Sequence, residues 1–171
     1  MRFWRKPGRE AAEIAYRRVV EQARRAEFFT ACGVPDTLDG RFELICLHAF
    51  LYLRRLKDEA DTAALAQRFF DTMFADFDRS LREIGTGDLS VGRQVKRMAE
   101  AFYGRIRAYE LGLAGDGAAL ATALARNLYA TAPAGGDCVE RMAAYLRREV
   151  ERLAGEPGAA LIAGTVAFGP P

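Results

Sequence analysis

Apolar positions recur along this chain at intervals of three and four, the repeat of a helix that buries one face and leaves the other in water. From about Arg9 to Cys32, Ala12, Tyr16, Val19 and Ala23 form one such stripe. Gly33, Val34 and Pro35 close it, glycine and proline being common just past a helix end. A second segment, about Gly40 to Lys57, carries Phe42, Ile45, Cys46, Ala49, Leu53 and Leu56 on one side and Leu44, Leu47 and Leu51 on the other. That pattern predicts a central helix, largely buried. A third starts after Asp61, a candidate N-cap, and lines up Leu65, Phe69, Met73, Phe77 and Leu81 before Gly85 and Gly87 end it. The fourth, capped by Asp88 or Ser90, turns Val91, Val95, Met98, Phe102, Ile106 and Tyr109 inward. A short fifth helix, about Gly117 to Tyr129, is capped by Asp116. The sixth begins near Asp137, with Glu140 three residues on as in a capping box and Val139, Met142, Leu146, Val150 and Leu153 as its core face.

No segment alternates long enough to make a strand. The prediction is an all-α fold: a single compact domain of about six helices over 9–154, a basic and aromatic N-terminal arm over 1–8, and a tail rich in Gly, Ala and Pro over 155–171 that is extended along the helices or partly disordered. At 171 residues the chain can bury a core without disulfide or metal staples. Cys32, Cys46 and Cys138 are odd in number and widely spaced, which argues against a disulfide framework and for a reducing compartment. No apolar run approaches the roughly 18 residues that cross a bilayer, and no secretory-signal pattern is present. The expected location is cytoplasmic. Net charge is only +2, yet residues 1–25 hold eight Lys or Arg against three Glu. The whole chain gives no reason to expect DNA, while its N-terminus favours an anionic surface.

Candidate chemistry is sparse. His48 is the only histidine, which removes any metal site needing two. On an almost wholly apolar helix it reads as a packing residue; the sharper alternative is a haem or metal ligand, although zinc ligands and paired Glu-x-x-His motifs are lacking. Asp71, Asp76 and Asp78 make an acidic group, either a solvated face or a recognition patch. Arg93, Lys96 and Arg97, with Arg105 and Arg107 beyond, make the fourth helix basic on its outer side, and Tyr103 is available for stacking. Glu100 interrupts that stripe and no RNA-binding signature accompanies it. Arg2, Phe3, Trp4, Arg5 and Lys6 combine rings and cations as a membrane-surface anchor does. With no nucleophile elbow, P-loop, dinucleotide motif or Cys/His pair, no catalytic residue, metal site or cofactor is assigned.

Three blocks go beyond what helical periodicity demands: FELICLHAFLYLRRL, LAQRFFDTMFADFDRSLREIGTGDLSVGRQVKRMAEAFYGR and LARNLYAT. Together, from about Asp36 to Tyr129, they resemble the ubiquinol–cytochrome c chaperone family, the assembly factors of the cytochrome bc1 complex. The resemblance implies a non-enzymatic, all-helical chaperone, a bacterial counterpart without the long N-terminal extension of mitochondrial members. Those members bind newly made cytochrome b, work with a small helical helper protein and associate with the translating ribosome. The implied partners are therefore cytochrome b or another bc1 subunit, with a helper protein, the ribosome or the face of the inner membrane as further candidates. The implied partner surface, an apolar strip edged by charge that takes a client helix into a groove, comprises Asp76, Asp78, Gly85, Gly87, Asp88, Arg93, Lys96, Arg97, Tyr103 and Arg105. The competing readings are a haem- or small-molecule-binding helical protein that uses His48, and a ribosome- or RNA-associated factor.

Overall fold

Each predicted stripe becomes a helix in the computed structural model, which describes residues 8–115 and 117–171. Arg2, Phe3, Trp4, Arg5, Lys6 and the expected cap Asp116 lie outside the described residues. Among those described, the helices are α1 (Arg9–Ala23), α2 (Ala26–Thr30), α3 (Leu38–Leu56), α4 (Ala63–Glu83), α5 (Asp88–Ala114), α6 (Ala118–Leu128), α7 (Cys138–Ala154) and α8 (Gly158–Ile162). No strand occurs among them.

The segment with apolar residues on both sides takes the middle. α3 packs against α1, α5, α6, α7 and α8, and Leu44, Leu47, Phe50, Leu51 and Tyr52 are all buried. Around it, α1 packs on α4, α4 on α5, α5 on α6 and α6 on α7. Gln22 of α1 closes the ring by donating to the Tyr145 hydroxyl of α7 at 3.0 Å. α5 and α6 can cross closely because Gly112 has no side chain: a Cβ there would lie 2.6 Å from the Leu120 Cα.

The structure departs from the sequence reading in four places. The first predicted helix breaks at Arg24 and Arg25, and Arg25 is extended (φ −62°, ψ 132°). In an unbroken helix Phe28 would project away from the Ala12–Ala23 stripe; the break turns it into the core, 5.2 Å from the rings of both His48 and Tyr145. The cap of α4 is Thr62, not Asp61, and its hydroxyl donates back to the Leu56 carbonyl at 2.7 Å. α5 starts from Gly87 as N-cap, with Asp88 as its first residue. Asp137 is the N-cap of α7 as expected, but its carboxylate pairs with Arg141 at 2.9 Å instead of capping.

The tail holds a short helix and stays in contact with the domain to its end. Val166 is buried, and Phe168 meets the His48 ring at 5.1 Å. Gly169 is held on both sides of its peptide: its carbonyl accepts from Gln22 at 2.6 Å and its N–H donates to Glu149 at 3.0 Å. A hydrophobic cluster beneath, with matched hydrogen bonds at the last turn, makes the tail part of the fold.

Candidate functional site

The histidine that could have served a ligand is fully occupied. His48 is completely buried; its Nδ1 lies 2.7 Å from the Leu44 carbonyl and its Nε2 2.8 Å from the Tyr145 hydroxyl. The tautomer that satisfies both has Nδ1–H donating to Leu44 and Nε2 accepting from Tyr145. Burial works against the charged ring and lowers its pKa to about 4, the Leu44 carbonyl only partly offsetting this. Neither nitrogen has a lone pair open to a haem iron. Among the described residues no group of three or more His, Cys, Asp or Glu could hold a metal ion.

What the surface does contain is a groove of about 940 Å³. Its walls come from the α1–α2 corner, the start of α3, the last turns of α4, the middle of α5 and the end of α6. Phe29, Phe42, Phe77, Leu81 and Met98 make an apolar floor, and Leu38 and Ile84 stand at the edge, 59% and 60% exposed. Arg24, Asp39, Arg41 and Arg126 add charge around the apolar part. The aromatic floor is ordered by an edge-to-face contact of Phe42 with Phe77 at 5.1 Å.

Two of the predicted partner residues belong to this groove, and both are tied to the fold. Arg105 donates through Nε and Nη2 to both carboxylate oxygens of Glu43, with side chains only 18% and 6% exposed. Its guanidinium also lies 5.4 Å over the Phe42 ring. Burial raises the Glu43 pKa, with Arg105 pulling it back down. Arg105 is therefore a floor residue held between α5 and α3, not a free cation. Asp76 accepts from the buried Tyr16 hydroxyl at 2.7 Å and from Arg79, which fixes one carboxylate at the groove wall.

The other predicted residues sit elsewhere. Gly85 has φ +90° and closes α4 in a Schellman turn, Thr86 N–H donating to Leu81 and Gly85 N–H to Arg82. Arg82 ties that turn together by reaching Asp78 at 2.7 Å and also Asp88. Gly87 is extended, with φ −63° and open space where a Cβ would be, so it has no conformational need to be glycine. Arg93, Lys96 and Arg97 line a separate shallow hollow of about 500 Å³ on the outer side of α5. Tyr103 is 59% exposed and stacks on Phe70 at 5.6 Å. Asp71 pairs with Gln67 at 2.7 Å, so the three acids of α4 do not converge on one point.

Comparison with known proteins shows the family of the chain. The profile described as ubiquinol–cytochrome C chaperone matches residues 30–168. The chain belongs to the ubiquinol–cytochrome c chaperone family. Within that family, a Xenopus laevis protein named ubiquinol-cytochrome-c reductase complex assembly factor 1 is 31% identical over 144 residues, covering 84% of this chain and 72% of that protein. The Homo sapiens protein of that name is 28% identical over 162 residues. This chain spans only 54% of the human protein's length. The crystal structure of the Cbp3 homolog from Brucella abortus matches with a TM-score of 0.83 at 38% identity, over 94% of this chain and 89% of that one. The all-α fold of this chaperone-family chain is thus shared with a solved relative. Among the described residues no helix is long and apolar enough to cross a membrane.

Leu38, Phe29, Ile84 and Arg126 are groove residues that reading the sequence missed. Leu38 precedes the predicted start of the second helix, and Ile84 belonged to no predicted stripe. An aliphatic residue stranded beside a turn glycine was the one local sign, and it marks an edge that packing leaves uncovered.

Proposed function

We propose that this chain is an assembly chaperone of the ubiquinol–cytochrome c reductase (cytochrome bc1) complex, acting by binding and not by catalysis, and that its client is cytochrome b. The observation that carries the reading is the groove: an apolar floor of Phe and Met, two exposed aliphatics at its edge, and charge around it. That is the surface an amphipathic or newly made apolar helix requires, with the client's stripe on the floor and its polar flanks at the rim. Phenylalanine and methionine tolerate varied stripes, because thioether chains repack at low cost. The names carried by the family and by its relatives support the same role. Within the groove, Leu38, Phe42, Phe77, Ile84 and Met98 would touch the client, Asp76 would meet a donor on it, and Arg105 would hold the floor in shape. The client being a membrane protein, we place the encounter at the face of the inner membrane.

The test is affinity capture from detergent-solubilised membranes, scored for cytochrome b itself. Leu38→Asp with Ile84→Asp changes two exposed side chains and should leave the melting curve unchanged. Each aliphatic burial is worth about 1 kcal/mol at this exposure, and burying a carboxylate in its place costs more, so client affinity should fall on the order of 100-fold. The Asp78→Arg, Arg97→Glu variant alters charges away from the groove floor and should capture cytochrome b normally. Equal capture by the groove variant and the wild type would reject the groove as the client site. Absence of cytochrome b from the wild-type capture would reject the client.

A further inference from the structure

α5 has two functional-looking sides, and only one borders the groove. With 3.6 residues per turn, Leu89, Arg93, Lys96, Glu100 and Tyr103 fall on one face, with Arg97 at its edge. The buried Val91, Phe102 and Tyr109 lie on the other side. Leu89 is 92% exposed, the most exposed large apolar residue described. Among the described residues neither Arg93 nor Arg97 has an ion-pair partner, and Lys96 has only a 3.9 Å approach to Glu100. Several arginines elsewhere are matched, Arg79 with Asp76, Arg82 with Asp78 and Asp88, and Arg141 with Asp137; Arg17, Arg24, Arg107 and Arg126 are exposed without an ion pair among the described residues. What sets the outer face of α5 apart is that Arg93, Lys96 and Arg97 line one hollow together, on the face that also carries the exposed Leu89.

We infer that the outer face of α5, from Leu89 to Tyr103, docks the protein onto an anionic lipid bilayer. The face is about 21 Å long at 1.5 Å per residue, long enough to meet several headgroups at once. Arg93, Lys96 and Arg97 provide the charge complement to lipid phosphates. Leu89 provides what a soluble anion would not use: an aliphatic group placed to enter between headgroups, where its exposed surface leaves water. Tyr103, stacked on Phe70 and open at its outer edge, has the half-apolar, half-polar character that settles at headgroup depth. Nucleic acid would use the same cations, but it would leave Leu89 in water, since an aliphatic side chain gives a base no flat ring to stack on. This surface is distinct from the client groove, and lipid binding does not depend on the client being cytochrome b.

The experiment is flotation of the full-length chain with phosphatidylcholine vesicles, with and without phosphatidylglycerol. Three variants accompany it: Arg93→Gln with Lys96→Gln and Arg97→Gln, Leu89→Ser alone, and Leu38→Asp with Ile84→Asp as the groove control. All of these side chains are solvent-exposed or pair-free, and unchanged melting curves establish that the variants fold. The wild type should float only with the anionic vesicles and release as salt rises. Removing the three cations should lower partitioning on the order of 100-fold. Leu89→Ser should lower it about tenfold with no change of charge, and the groove control should bind as the wild type does. Failure of the wild type to float overturns the inference. So does full binding by the triple variant, which would put the contact on another surface. Retention of vesicle binding by Leu89→Ser, together with duplex RNA binding that the triple variant loses, would make this a nucleic-acid face and also overturn it.

Discussion

Replacing Arg105 by methionine should unfold this protein far more readily than the loss of one surface charge would. The guanidinium and the Glu43 carboxylate face each other between α5 and α3 with side chains 18% and 6% exposed. Methionine preserves most of the volume and the apolar stem, so the change isolates the charge. It leaves a carboxylate enclosed without a counter-ion, a situation that costs about 3–5 kcal/mol. In a domain of this size each kcal/mol moves the melting temperature by roughly 2–4 °C, so the expected fall is about 10 °C. Adding Glu43→Leu removes the stranded charge as well and should return stability to within about 1–2 kcal/mol of the wild type. Thermal melts followed by circular dichroism, with urea midpoints for the free energies, measure both.

The same pair makes a pH prediction whose sign is fixed by Glu43. Burial raises its pKa in the folded protein, so the folded state binds that proton more tightly than the unfolded state does. The contribution is therefore present at pH below the unfolded value of about 4.3 and is lost as pH rises through the folded value. Without Arg105 the folded pKa climbs further. The Arg105→Met variant should come closest to the wild type in acid and fall behind it progressively towards neutral pH. If it loses less than about 1 kcal/mol at neutral pH, or if the double variant is as unstable as the single, then an unpaired buried charge is not the reason Arg105 matters. Arg105 would then return to the list of free partner-binding cations.

His48 should give a slope of the opposite sign: its folded pKa of about 4 lies below the ordinary 6.5, so the stability it contributes is complete above about pH 6.5 and is lost as pH falls towards 4, by about 3 kcal/mol in all. Urea midpoints across that range should show the decline in the wild type and lose most of it in His48→Gln; equal slopes would refute the assignment. Gly112→Ala forces a Cβ to 2.6 Å from backbone of α6 and should cost about 1–3 kcal/mol in a thermal melt, while an unchanged melting temperature would deny the close crossing. In the α4–α5 turn, Gly85→Ala should cost about 1 kcal/mol because its φ is +90°. Gly87→Ala should stay within about 0.5 kcal/mol, having neither strain nor a clash.

These tests turn on a distinction that hydrophobic periodicity states only in part. A stripe reports which side of a helix is apolar, and that was enough to centre α3 and to end α4 at Gly85, because both depend on residues within a few positions of each other. It does not report how many neighbours arrive to cover the stripe. Met98 has the same inward register as Phe102 and Tyr109, yet it is only half-buried, because it faces the groove that five separate parts of the chain enclose. Phe28 likewise turns inward only because His48 and Tyr145 form a pocket for it, and nothing near residue 28 announces them. Arg105 is different: the basic run suggested an outer, partner-facing cation, whereas its register within the helix points the other way. It stands three residues after Phe102 and four before Tyr109, on the buried side of its helix, and a cation in that register must find an enclosed anion or destabilise the fold. Glu43, set among apolar residues at the start of α3, is that anion. Register thus divides the charges of α5 into two kinds: Arg105, in step with the core, is neutralised within the fold, whereas Arg93, Lys96 and Arg97, out of step with it, remain available to whatever anionic surface approaches.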